Sequence, residues 1–261
     1  MSARLAGKAL VITGTTGIGA ATARLAAAEG AKIVVAGRDE VSCLELGEAI
    51  GGECWVGDLL ERNAAESIVA LCVSKFGRLD ALFNVAGLSG RRFGDAPVHE
   101  CTDEGWEATM ENNLTTMFRM CRAATARMLE QAPAESGLRG SILNMASVLA
   151  FSPEPRHFAT HAYAAGKGGA IAMTRSMAAH YAPGKIRVNA IAPGLVRTPM
   201  SQRAQASPEL QEFVARKQPL TVGMVEADDV ARAAVFLLSD DARAITGQVL
   251  AVDAGWSVTG V

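Results

Sequence analysis

Seven short apolar runs, mostly β-branched, recur along this chain, and longer Ala-, Leu- and Glu-rich stretches of helical period separate them. The runs are 9–13, 32–36, 53–56, 81–85, 141–144, 187–191 and 248–252. The stretches between them predict helices near 18–29, 40–50, 61–76, 103–130, 161–181 and 227–239. Strands that alternate with helices build a parallel sheet. Strand runs that are apolar nearly throughout belong to a sheet covered on both faces. The expected architecture is therefore a doubly wound α/β fold of about seven strands. No linker, repeat or low-complexity block divides residues 1–261, so a single domain is expected.

Composition narrows the function classes. With 261 residues, 49% of them hydrophobic, the chain is long enough for one large core. Its formal net charge of -2 and lack of a basic block argue against nucleic acid as a partner. No apolar run approaches the roughly 18 residues of a membrane span. The opening "MSARLAGKALVI" lacks the apolar core and cleavage site of a signal peptide. The five cysteines are scattered and form no C-x-x-C, which suits buried thiols in a reducing compartment and a cytoplasmic location.

The stretch "TGTTGIG" at 13–19 follows the first apolar run and leads into the first helix. A glycine turn at a helix amino terminus makes an anion site, because glycine permits close backbone approach and the helix start offers unpaired N–H groups. Gly14 is expected to make the turn, Gly17 to admit a pyrophosphate and Gly19 to let the helix pack closely. Thr13, Thr15 and Thr16 are candidate hydroxyl donors beside Ile18. Taken alone, the loop fits either a nucleotide site or a structural turn.

A second pattern lies further on. "AYAAGKGGA" sets Tyr163 and Lys167 four residues apart, on one helix face. Such a pair is often a lysine stem packed along an aromatic ring. Its chemical alternative is an ammonium that stabilises tyrosinate and lets a phenol exchange protons nearer neutrality.

Together with "GDL" at 57–59, "NVAG" at 84–87, "ENNLTTMF" at 111–118, "SILNMAS" at 141–147, "VNAIAPGLVRT" at 188–198 and "ITGQVLAVDAG" at 245–255, these segments resemble the short-chain dehydrogenase/reductase family. The likeness runs nearly end to end and implies a single-domain Rossmann-type fold and an NAD(P)-dependent oxidoreductase that interconverts a secondary alcohol and a ketone. It further implies that Tyr163 is the general acid/base and that Lys167 lowers its pKa and holds the nicotinamide ribose. Ser147 would bind the substrate oxygen, and Asn113 would hold a water in a relay to Lys167. For the cofactor, Asp58 and Leu59 would flank the adenine, and Asn84, Ala86 and Gly87 would lie under its ribose. Pro193, Gly194, Val196 and Thr198 would hold the carboxamide, while Asn189 matches a structural position.

The chain also departs from the family pattern. T-G-x-x-G is one residue shorter than the usual T-G-x-x-x-G-I-G and is shared with the extended branch that includes sugar epimerases, but 261 residues leave little room for that branch's additional region. Ser147 precedes Tyr163 by 16 residues, an unusually long interval that leaves Ser152 as an alternative. Ala254 stands where glycine is common. At the end of the second strand Gly37 is followed by Arg38, whose fork can pair with a 2′-phosphate. This favours NADP(H), with NAD(H) possible if Asp39 serves the ribose hydroxyl instead.

Residues 88–101, 148–161 and 195–222 are the expected pocket walls, the last with a short helix at 208–217. His157 and His161 have a spacing that can bind metal but lack a third ligand, so no metal is expected. Arg91 and Arg92 suit either an acidic substrate or plain solvation. The methionines at 110, 117, 120 and 128 suggest a packed helix face. In this family that helix and 161–181 form an oligomer interface, implying a homotetramer or homodimer. The rival readings are a dinucleotide sensor without catalysis and an epimerase or dehydratase with bound NAD.

Overall fold

The computed structural model describes residues 3–260, so the ends of the expected 1–261 domain lie outside the described residues. Its strands are β1 (Ala9–Thr13), β2 (Lys32–Gly37), β3 (Glu53–Val56), β4 (Ala81–Asn84), β5 (Gly140–Met145), β6 (Ile186–Pro193) and β7 (Val249–Val252). They form one parallel sheet in the order β3-β2-β1-β4-β5-β6-β7. The order reverses between β1 and β4. Ligands of open α/β sheets bind at such a switch point, beyond the carboxyl ends of the strands.

Alternation within the strands fills two cores. Leu10, Ile12, Ile33, Val35, Phe83 and Leu143 pack on one face, against α1 (Gly17–Ala28) and α9 (Ala227–Leu238). Val11, Val34, Leu82, Ile142 and Val188 pack on the other. That face is covered by α3 (Ala64–Phe76), α5 (Thr116–Glu130) and α6 (His161–Tyr181). The strands read as continuous apolar runs because successive side chains enter opposite cores.

Several boundaries differ from the sequence expectation for local reasons. β4 stops before Val85 because the Val85 N–H leaves the ladder and donates to Thr13 Oγ1 at 3.0 Å. The helix expected at 61–76 starts at Ala64, after a turn in which Leu60 N donates to Asp58 Oδ1. The expected 103–130 helix is α4 (Asp103–Met110), a π-helical turn at Glu111–Thr115, and α5. α2 (Glu40–Ala49) follows β2. α7 (Gln202–Gln205) is an addition, while α8 (Pro208–Lys217) begins at its expected place, with Ser207 Oγ accepting from Leu210 N and Pro208 in the first turn.

Candidate active site

The glycine loop is shaped by backbone conformation. Gly14 turns the chain at φ +96°, and its N–H donates to the Ala36 carbonyl at 2.7 Å. Gly17 opens α1 at φ +52°, with the Thr198 methyl 2.9 Å from where a Cβ would stand. A Cβ on Gly19 would strike the Gly14 carbonyl oxygen, so this glycine lets α1 pack on the turn itself. Thr16 precedes α1 with no side-chain cap, and no acidic residue sits in the first turn. The helix start thus leaves N–H groups for an anion. Ile18 packs on the core.

Two of the three loop threonines point elsewhere than expected. Thr13 Oγ1 accepts from Val85 N and from Ala86 N at 3.1 Å, joining the ends of β1 and β4. Thr15 pairs with Ser42 Oγ at 2.8 Å, under Gly37. Arg38 beyond Gly37 is exposed. Asp39 caps α2 by accepting from Ser42 N at 2.9 Å, and these Ser42 hydrogen bonds hold its carboxyl below the ordinary value.

Asp58 lies after β3, and Leu59 packs on the second core. The Asn84 side chain is buried rather than presented at the surface. Its Nδ2 donates to Asn144 Oδ1 at 2.9 Å and Cys121 Sγ at 3.3 Å, while its Oδ1 is buried without a partner. Burial also pushes the Cys121 thiol up to about 12.

Asn113 and Lys167 meet beside Gly87, Tyr163 lies next to Lys167, and Ser147 lies near Tyr163. Ser147, just past β5, accepts from Leu149 N at 3.3 Å and lies near enough to the Tyr163 phenol to influence its titration. Desolvation pushes this phenol above its ordinary pKa, and the nearby Ser147 hydroxyl pulls the other way. Ser152 instead offers its carbonyl to the Trp256 indole at 3.2 Å. Lys167 is 2% exposed. Its Nζ lies 5.6 Å from the Tyr163 ring centroid and donates to the Met145 carbonyl at 3.0 Å. Burial pushes the Lys167 ammonium down to about 8. The ammonium thus lies beside the phenol while desolvation dominates the titration of both groups.

Asn113 occupies the π turn, which releases the Thr109 carbonyl to accept from Asn113 Nδ2 at 2.9 Å. The same Nδ2 donates to Leu88 O at 3.0 Å, and Oδ1 accepts from Leu88 N at 3.3 Å. The amide is tied to the backbone of the chain beyond β4. A Cβ on Gly87 would collide with Asn113 Oδ1 and stand 3.6 Å from Lys167 Nζ, so only glycine admits this approach.

Two positioning residues escaped the sequence reading. Asp95, 3% exposed, accepts from Ala162 N and Tyr163 N at 3.0 Å each and thereby fixes the start of α6. Gln218 is fully buried and accepts from Leu195 N. Its Nε2 donates to Leu195 O at 3.1 Å and Gly223 O at 2.7 Å. It holds the Pro193–Thr198 segment against the far end of its own loop. Gly194 N donates to Val252 O at 3.1 Å, Val196 bridges to Val225, and Thr198 caps the turn that follows. His161 Nδ1 accepts from Val98 N at 3.0 Å, so this histidine braces the loop at 88–101.

A family model described as enoyl-(acyl carrier protein) reductase matches residues 12–257. The 3-oxoacyl-[acyl-carrier-protein] reductase FabG of Thermotoga maritima is 33% identical, over 97% of this chain and 98% of the relative. The 3beta-hydroxysteroid dehydrogenase 1 of Eggerthella lenta is 36% identical, over 97% and 95% respectively. A crystal structure of gox2181 superposes with a TM-score of 0.90 at 30% identity, covering 99% of this chain and 98% of that one.

Proposed function

This chain belongs to the short-chain dehydrogenase/reductase family, and we propose that it interconverts a secondary alcohol and a ketone through proton exchange at Tyr163. It is an oxidoreductase of CH–OH and C=O groups that uses NAD(P)(H). The observation behind the mechanism is the buried Lys167 ammonium, 5.6 Å from the Tyr163 ring centroid, with Ser147 near the same phenol.

The cofactor fits an open helix start and a glycine turn without side chains, both of which suit a diphosphate. Gly14, Thr15, Thr16, Gly17, Ile18 and Gly19 form that cradle. Asp58, Leu59, Asn84, Ala86 and Gly87 would take the adenosine end, Asn84 through its backbone. Pro193, Gly194, Val196 and Thr198 would take the nicotinamide end, with Tyr163 and Lys167 at its ribose. When bound, the dinucleotide supplies or accepts the hydride. Ser147 orients the substrate oxygen, and Tyr163 gives it a proton in reduction or removes one in oxidation. Lys167 favours the tyrosinate that reduction leaves behind. Asn113 positions the segment after β4 and thereby the floor beneath Lys167.

NADP(H) is the preferred cofactor. Gly37 adds no side chain at the end of β2, Arg38 is exposed, and the Asp39 carboxylate is engaged by α2. Arg38→Ala should lower the NADPH-to-NADH preference about tenfold, one charge-assisted contact's worth. The protein is further proposed to act in the cytoplasm as a homotetramer or homodimer, which would cover the half-exposed Trp106 and Phe118 of α4 and α5.

The test is NADPH and NADH consumption over ketones of graded size. Tyr163→Phe should cut turnover by about 10²–10⁴-fold while cofactor still quenches protein fluorescence. Undiminished turnover in that variant contradicts the assignment.

A further inference from the structure

Two cationic side chains from separate pocket walls share one neutral oxygen. Arg91, in the 3-10 turn Gly90–Phe93 beyond β4, donates from Nη2 to the His157 carbonyl at 2.8 Å. Arg203, in α7 beyond β6, donates from Nη2 to the same oxygen at 2.9 Å. Both residues are exposed, and neither forms an ion pair among the described residues. Each guanidinium has five N–H donors in a rigid fork, so most of that capacity is unspent.

The nearby carboxylates are committed to backbone. Asp95 takes the N–H groups of Ala162 and Tyr163, and Glu154 takes those of Arg156 and His157. Desolvation pulls the Arg91 pKa down, the Arg203 charge adds to that, and Asp95 opposes it. Like charges held side by side repel, and one shared carbonyl does not neutralise them. Arg92 stacks on Phe93 at 4.6 Å and takes no part. Arg203 lies over the Phe158 ring at 5.6 Å, and Phe158 and Phe213 both pack edgewise on Trp256. The cations therefore border an aromatic cluster.

We propose that Arg91 and Arg203 form an oxyanion fork in the substrate pocket, so that the preferred substrate is an oxo acid or hydroxy acid. Its carboxylate would lie between the two guanidiniums while its ketone or alcohol faces Tyr163. The fork rests on the reading of this chain as a ketone/alcohol oxidoreductase and adds the charge of the substrate to it. A bidentate guanidinium matches a planar carboxylate, and a phosphate ester offers the same oxyanion chemistry.

The experiment compares linear oxo acids, with one to five methylenes between ketone and carboxylate, with their methyl esters and with oxoalkyl phosphates. The intact protein should reduce at least one acid with higher kcat/KM than its ester, and added salt should narrow the gap. Arg91→Ala and Arg203→Ala should each lower the acid-to-ester ratio by about tenfold to a hundredfold. A phosphate that shows this dependence in place of the acids identifies phosphate as the oxyanion and keeps the fork. Acid and ester falling together would mean that the arginines only brace the His157 loop, and the fork is wrong. An unchanged ratio overturns it equally, while ester reduction that needs Tyr163 leaves the oxidoreductase reading standing. If no compound in the panel is reduced, that reading fails and the fork fails with it.

Discussion

Lys167 and Arg187 are both nearly fully buried, 2% and 4% exposed, at opposite ends of the same sheet. Arg187, at the amino end of β6, donates to the Ser239 carbonyl at 2.9 Å and the Ile245 carbonyl at 3.3 Å. Burial lowers its pKa to about 10, with the Asp240 charge opposing, so it stays cationic at neutral pH. Lys167, at the carboxyl end, has a single carbonyl partner and a phenol beside it, and its pKa is about 8. A guanidinium with fixed acceptors ties strand to loop, whereas a desolvated ammonium is poised to titrate. Burial costs both charges alike, and Arg187 sets two fixed carbonyl acceptors against that cost while Lys167 has one and stands where the chemistry is.

Paired substitutions can break this contrast. Lys167→Met should lower kcat/KM by about 10²–10⁴-fold and leave the protein folded. Burial of the ammonium costs stability on the order of 3 kcal/mol, from a fall of 10.5 to about 8. That cost is complete below about pH 8 and disappears as pH rises through 10.5, because the unfolded chain binds the extra proton in this window. The variant should therefore melt higher than wild type at pH 7, with the advantage closing by pH 10.5. Arg187→Met should spare turnover and gain no such advantage, because it also strips two carbonyls of their donor. Leaving two buried carbonyls unpaired costs about 2–6 kcal/mol against relief of a buried charge on the order of 3 kcal/mol, so Tm should stay level or fall, with kcat per folded molecule preserved. Equal losses of activity and stability in both variants would erase the distinction.

Smaller effects sharpen it. Thr13→Val keeps the shape but removes the acceptor for Val85 N and Ala86 N, costing about 2 kcal/mol in urea unfolding. Ala254 has φ +48°, the left-handed region where a Cβ is strained, so Ala254→Gly should add about 0.5 kcal/mol by the same measurement.

Those residues also mark what the chain makes readable. All seven strands and the Tyr163–Lys167 spacing follow from local periodicity, which is visible within a few residues. The carboxyl-end positions of Ser147 and Gly87 follow from strand order. Asp95 is invisible because its partners, Ala162 and Tyr163, lie more than 60 residues away. Gln218 reads as an ordinary polar loop residue until the fold closes over it. The π turn at Asn113 breaks no periodic pattern strongly enough to be noticed. Thr13 and Thr15 have the residue types of phosphate donors, and only the neighbouring strands reveal their other partners. Ser147 is favoured over Ser152 by its place at a strand end, and the structure sets Ser147 near the Tyr163 phenol.

The central claim is that a buried ammonium beside Tyr163 governs proton exchange. Its most direct test is the pH dependence of kcat/KM for the reduced cofactor at saturating ketone, which reports groups on the cofactor-free enzyme. Reduction by the wild type should decline as pH rises through about 8, and that limb should vanish from the residual activity of Lys167→Met. A flat wild-type profile across this range, or a limb that survives the substitution, would contradict the account.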